Sequence, residues 1–290
     1  MANRAPISGK KGKGQADRLS SMHLKAGGVV GIFGADAKIH DADIRKVAEK
    51  VLALLKQKLP TLTFRMRSSI KKQEIHKKLN SIDSRLGVML FVPTASIQPD
   101  GGIIEVQDKN GLWRVLLVGE SKHQGNDVKS IVEGTRTRVM EEKGQYIMPA
   151  GNAIERVHKN IQEMKNFMLG ERYFPYVVFL QGSNFATELL TLEWPDGTEV
   201  PILPSDSAVN RIDRVTASNY GMEINHNYCR NIVIDDGDDR LMLQVTSIYA
   251  QCDLFKPSKM FEVLWNTALT SLEVLADELP LEVGPANGEA

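Results

Sequence analysis

The chain has 290 residues, 42% hydrophobic and 25% charged, enough to bury a full core; this composition excludes a chain disordered throughout. Lys and Arg total 36 and so do Asp and Glu, so the net charge is zero and any nucleic-acid partner must be met by local charge. Cys229 and Cys252 cannot make a disulfide framework and lack Cys-x-x-Cys spacing, while no apolar run reaches membrane-spanning length and no apolar segment follows the basic N-terminus. These features point to a cytoplasmic protein with no membrane partner.

Residues 1–16 are rich in Gly, Lys and Ser without apolar periodicity, and read as a mobile basic arm. Over residues 1–25, Arg4, Lys10, Lys11, Lys13, Arg18 and Lys25 stand against Asp17 alone, leaving a charge of +5. Residues 17–278 are expected to form one domain and 279–290 a disordered tail. Gly28-Val-Val-Gly31-Ile-Phe-Gly34 fits neither a dinucleotide fingerprint nor a Walker loop, so it reads as close backbone packing. Asp41 and Asp43 open a helix with an apolar face of Ile44, Val47, Val51, Leu54 and Leu55, ended by Pro60. A strand over 61–66 and a short helix over 71–79 follow.

Residues 100–122 read as a hairpin turning at Lys109-Asn110-Gly111. A three-residue loop with Gly111 left-handed sets Asp108 opposite Leu112, so that paired numbers sum to 220. That register places Asp100 opposite Glu120, with Lys122 on the same face beside Ile104, Val106, Leu116 and Val118. Residues 126–143 read as helix interrupted by an exposed loop. The stripe Ala150, Ile154, Val157, Ile161, Met164 and Met168 predicts a helix from 150 to about 169. The run 176–180 predicts a strand buried on both faces, 183–209 a loop-rich stretch turning at Pro195-Asp196-Gly197, 241–250 a strand and 260–275 a closing helix. Strands interleaved with helices indicate an α/β fold with a central mixed sheet.

Asp100, Glu120 and Lys122 could be a salt-bridged cluster at a hairpin end. Against that, Glu120 and Lys122 end the apolar run 115–118, where charge is costly without a purpose. Pro99-Asp100 also precedes Gly101-Gly102, a pair that lets a ligand approach the backbone. Asp100, Glu120 and the Ser121 carbonyl form a hard-oxygen set suited to Mg²⁺, and Lys122 could orient a water and stabilise a phosphorane-like transition state. The reaction class is phosphodiester hydrolysis. His123 adjoins the cluster but faces away, which suits a structural role.

Pro-Asp followed at the end of the next strand by Glu-x-Lys resembles the PD-(D/E)xK nuclease superfamily. Gly31-Ile-Phe-Gly34, Pro175-Tyr-Val, Lys122-His-Gln-Gly125, Ala150-Gly-Asn-Ala-Ile-Glu-Arg156, His158-Lys-Asn160, Asn210-Arg-Ile-Asp-Arg214 and Ala217-Ser-Asn-Tyr-Gly221 resemble the EcoRI family of type II restriction endonucleases. The resemblance runs in one order over roughly residues 15 to 275. It implies a restriction endonuclease-like domain acting as a two-fold homodimer on double-stranded DNA. The palindrome GAATTC would be cut after G, leaving 5′-phosphates. It further implies Mg²⁺ dependence with Mn²⁺ as a substitute, and a companion DNA methyltransferase in the host that makes no direct contact.

For recognition, the resemblance implies that residues 144–150, with Met148, Pro149 and Ala150, cross the major groove. The helix start would then present Asn152, Ala153, Glu155 and Arg156 to the bases. Arg211 would support reading of the outer guanine, while Arg214 could contact phosphate or pair with a nearby carboxylate. Pro149 departs from the family's Ala: it keeps its carbonyl as an acceptor but has no N–H to donate. Two other readings fit the chemistry less closely: a repair or structure-specific nuclease of the superfamily, and a DNA-binding protein with a degenerate nuclease core. The intact Asp100, Glu120 and Lys122 weigh against the last.

Overall fold

A computed structural model describes residues 35–87, 92–123, 152–182, 185, 187, 189–202, 215–216, 219 and 221–280. The basic arm, the Gly28–Gly34 segment, residues 124–151, Arg211, Arg214 and the end of the tail lie outside the described residues.

Helix α1 (Ala35–Lys58) buries Ile44, Val47, Ala48, Val51 and Leu55, the stripe expected from the spacing. It stops before Pro60, which cannot continue the helical ladder. Its start precedes the expected Asp41, because Ala35 and Ala37 are strong helix formers that contribute no apolar periodicity. Strand β1 (Phe64–Arg67) is followed by β2 (Ile70–Lys71), helix α2 (Lys72–Ile82) and β3 (Ser96–Ile97).

The central hairpin joins β4 (Gly102–Gln107) to β5 (Trp113–His123). Its turn forms as expected: Gly111 has φ +78°, the Asp108 N–H donates to Leu112 O at 2.8 Å, and the Gly111 N–H donates to Asp108 O at 2.9 Å. Gln107 faces Trp113, Val106 faces Arg114 and Glu105 faces Val115, the expected register. Beyond Glu105 the register slips: Ile104 faces Leu117, Ile103 faces Val118 and Gly102 faces Gly119. Leu116 is the extra residue of a β-bulge, and it changes the parity of everything that follows.

The pairing of Asp100 with Glu120 is therefore not made. β4 begins at Gly102, and Asp100 sits in the turn before it. The expected common face is also split, because cross-strand partners project to one side of a sheet. Val118 and Glu120 lie on the side of Ile103 and Glu105, while Ile104 and Val106 lie on the other.

The main sheet runs β1-β4-β5-β6-β11, antiparallel from β1 to β5 and parallel from β5 through β6 (Tyr176–Gln181) to β11 (Ser247–Gln251). The mixed sheet is as expected, and every residue of β6 is buried. Helix α1 packs on β5 together with the closing helix α4 (Pro257–Val274). Helix α3 (Asn152–Phe167) packs with α2 and reaches the other face of β5 through Asn160. Its buried stripe is Ile154, Val157, Ile161 and Met164, continued by Met168 just beyond its end.

Two stretches differ from expectation. The loop-rich region contains a short hairpin, β7 (Leu190–Glu193) and β8 (Glu199–Ile202), closed at the expected turn with Gly197 at φ +83°. The single strand expected over 241–250 is two. β10 (Asp239–Leu243) pairs with β9 (Ile232–Asp236), and β11 begins separately at Ser247. Asn219 causes the break: its side chain accepts from the Thr246 N–H at 2.9 Å and donates to the Thr246 carbonyl at 2.5 Å, taking both groups a ladder would use.

Candidate active site

Glu120, Ser121 and Lys122 lie on β5 after its last partner in β4, so β6 alone flanks them in the sheet. The chain opposite turns tightly: the Gly102 N–H donates to Pro99 O at 3.0 Å and the Gly101 N–H to Gly119 O at 2.9 Å, which hangs Asp100 beside the open edge of β5. The turn itself requires the glycine pair. A Cβ on Gly101 would meet the Gly119 carbonyl at 2.9 Å, and Gly102 has φ +78° with the Arg67 carbonyl 2.9 Å from a Cβ position.

The three expected residues converge despite the shifted register. Lys122 Nζ contacts Asp100 Oδ2 and lies 3.3 Å from Glu120 Oε1, so one ammonium bridges two carboxylates. The Asp100 and Lys122 side chains are 19% and 16% exposed, whereas that of Glu120 is fully buried. Burial pushes the Glu120 carboxyl above the usual carboxylate range; Lys122 opposes the shift and Asp100 adds to it.

Two further residues hold Glu120: Asn160 and Tyr176, which the sequence offers only as parts of the family motifs His158-Lys-Asn160 and Pro175-Tyr-Val, with no role attached. Tyr176 on β6 donates its hydroxyl to Glu120 Oε2, and Asn160 on α3 lies 3.2 Å from Oε1 and 3.3 Å from Oε2 through Nδ2. Asn160 falls beside Val157, Ile161 and Met164 in the buried stripe, and an amide there needs a partner; that was the available signal. Tyr176 stands in the motif Pro175-Tyr-Val, but its chemistry alone points to no partner, because a tyrosine in an apolar strand is ordinary core.

Carbonyl directions alternate along a strand. Since Gly119 O points at Gly101, the Ser121 carbonyl is aimed at the same edge, where Asp100 sits. The Ser121 hydroxyl faces the other way and accepts from Gln181 Nε2 at 3.2 Å. His123 is buried next to it. Two carboxylates that meet on one cation, with a carbonyl at the same edge, make an oxygen-only donor set that fits a hard divalent ion such as Mg²⁺. Among the described residues no cluster of three or more His, Cys, Asp or Glu offers a competing site. Glu105 is the other buried carboxylate of this face, but Arg65 Nε at 2.5 Å and Arg67 Nη1 at 3.6 Å neutralise it, which suits a structural part.

Of the expected recognition residues, Glu155 and Arg156 are exposed in the first turns of α3. The backbone of Asn152 and Ala153 starts that helix. Arg156 precedes Asn160 by four residues, roughly 6 Å along the axis. The first turns of α3 and the buried carboxylate are thus joined through one helix. Met148, Pro149, Ala150, Arg211 and Arg214 lie outside the described residues.

Residues 26–282 match the family model described as Restriction endonuclease EcoRI. The chain is 52% identical over 269 residues to the type II restriction enzyme RsrI of Cereibacter sphaeroides, covering 93% of this chain and 96% of that protein. It is 48% identical over 269 residues to the type II restriction enzyme EcoRI of Escherichia coli, covering 92% and 96% respectively.

Proposed function

The chain belongs to the EcoRI family of restriction endonucleases and is a type II site-specific deoxyribonuclease; from that premise we propose that it cuts the palindrome GAATTC after the guanine, with Asp100, Glu120 and Lys122 as its catalytic residues. The observation that carries the assignment is the meeting of both carboxylates on Lys122 Nζ at the open edge of β5. The cluster supplies both signs of charge, and Asp100 and Lys122 are its partly exposed members.

Asp100, Glu120 and the Ser121 carbonyl would hold a divalent ion, Mg²⁺ by preference with Mn²⁺ as a substitute. When bound, the ion polarises a phosphoryl oxygen and acidifies a water. Lys122 orients the attacking water and offsets the negative charge that builds on the phosphoryl oxygens. Water oxygen adds to phosphorus, the bond to the 3′-oxygen breaks, and the proton lost by water is balanced by the one the 3′-oxygen gains. The products are a 5′-phosphate and a 3′-hydroxyl.

Substrate choice falls to other residues. Asn152, Ala153, Glu155 and Arg156 at the start of α3 read the inner bases, together with the chain at Met148, Pro149 and Ala150. Arg211 supports reading of the outer guanine, and Arg214 contacts phosphate. A palindrome calls for a two-fold homodimer, each protomer cutting one strand. Among the described residues no helix is long and apolar enough to cross a membrane. The enzyme acts in the cytoplasm beside a host methyltransferase that protects the same site.

Digestion of a sequenced plasmid with Mg²⁺, followed by sequencing of the product ends, tests the reading. Discrete fragments ending at G/AATTC with 5′-phosphates are expected. Ends scattered over the plasmid, or discrete ends at another sequence, would reject the assigned specificity.

A further inference from the structure

We infer that Tyr176 is a positioning residue for the catalytic carboxylate, fixing which oxygen of Glu120 is presented to the divalent cation. This rests on Glu120 being a metal ligand. The side chain of Glu120 is fully buried, and its two oxygens face different surroundings. Oε1 lies 3.3 Å from Lys122 Nζ, on the side of the cluster shared with Asp100. Oε2 takes the Tyr176 hydroxyl, and Asn160 Nδ2 sits between the two at 3.2 and 3.3 Å.

A carboxylate with free rotation could turn either oxygen, or neither, toward a cation. Here the tyrosine hydroxyl holds the inner oxygen by a charge-assisted hydrogen bond, which leaves the outer one aimed at the cluster. The hydroxyl itself has little freedom. Tyr176 pairs with Val118 in the parallel register, two residues before Glu120, so its side chain rises on the same face of the sheet. Its ring is wholly buried and stacked on Phe174, with centroids 5.8 Å apart and planes 18° from parallel. A rigid buried donor, aimed at one oxygen of a rigid buried acceptor, supports metal geometry from outside the ligand set.

Tyr176→Phe removes the hydroxyl and keeps the ring. Tyr173→Phe is the matched control: it deletes a buried hydroxyl that donates to the Val115 carbonyl at 2.7 Å, away from the cluster. Two readouts are taken for each: the Mg²⁺ concentration giving half-maximal cleavage, and the Ca²⁺ concentration giving half-maximal tightening of binding to a GAATTC duplex by fluorescence anisotropy. Tyr176→Phe is expected to raise both concentrations about tenfold or more, the range that loss of a supporting partner to a metal ligand produces. Tyr173→Phe is expected to leave both in place. An unchanged cation requirement in Tyr176→Phe, or an equal rise in both variants, overturns the inference. Glu120→Gln separates the two levels. If it retains the wild-type cation response, the metal-site reading itself fails; if it loses that response while Tyr176→Phe keeps it, only the role of Tyr176 fails.

Discussion

Lys122 is the residue on which the site turns, since its ammonium touches both carboxylates and fills the space between them. Lys122→Ala is expected to lower the cleavage rate by about a thousandfold, the range for removing one preorganised stabilising group. Specific DNA binding, measured by anisotropy against a scrambled duplex, should survive. Loss of both would make Lys122 a folding residue. The three charged residues were legible in the sequence because charge at the end of an apolar strand is conspicuous. Tyr176 was not, because nothing in a single sequence says which strand lies beside β5. The demand of the turn on Gly101 and Gly102 is not legible for a related reason: in sequence a glycine pair looks the same whether it makes room for a ligand or for the carbonyls of Gly119 and Arg67.

Helix α3 joins the residues proposed for base reading to the carboxylate cluster along one rod, with Glu155 and Arg156 exposed near its start and Asn160 on Glu120 a turn later. Near its far end, burial holds the Lys165 ammonium down to about 8. The folded chain therefore binds that proton less tightly than the unfolded chain does. The stability cost is complete below about 8 and is relieved as pH rises toward the ordinary lysine value of 10.5. Lys165→Met is expected to raise the melting temperature at pH 7, with the gain shrinking between pH 8 and 10. A gain that does not change with pH would assign the effect to packing alone. Among the elements, α1, α3, β6 and α4 were readable because each buries a regular stripe or run. β9 and β10 were not: Val233, Ile234, Leu241 and Met242 are all exposed, so neither strand alternates between apolar and polar sides. The gap before β11 depends on Asn219, 27 residues away in sequence from the backbone it binds.

At the scale of the whole molecule, the family match starts at residue 26, just past the stretch that carries the +5 excess. Deleting residues 1–14 removes Arg4, Lys10, Lys11 and Lys13 without touching any described element. The slope of log affinity against log salt should become shallower by about 0.9 for each of these that meets a phosphate. An unchanged slope would take the arm out of DNA binding. The mixed sheet was legible as a class, since strands alternate with helices along the chain, but the layer holding the site was not. The extra residue at Leu116 decided that.

The bulge makes position along β5 a matter of odd and even. Between Leu116 and Glu120, loss or gain of one residue would carry Glu120 from the side of Tyr176 and Asn160 to the side where Ile44 of α1 packs under Gly119. A change of two would restore the side but slide Glu120 a full step past Asp100. The short run from 117 to 119 therefore works as a fixed-length spacer: its side chains can be exchanged for others of similar size, while its length cannot change by even one residue.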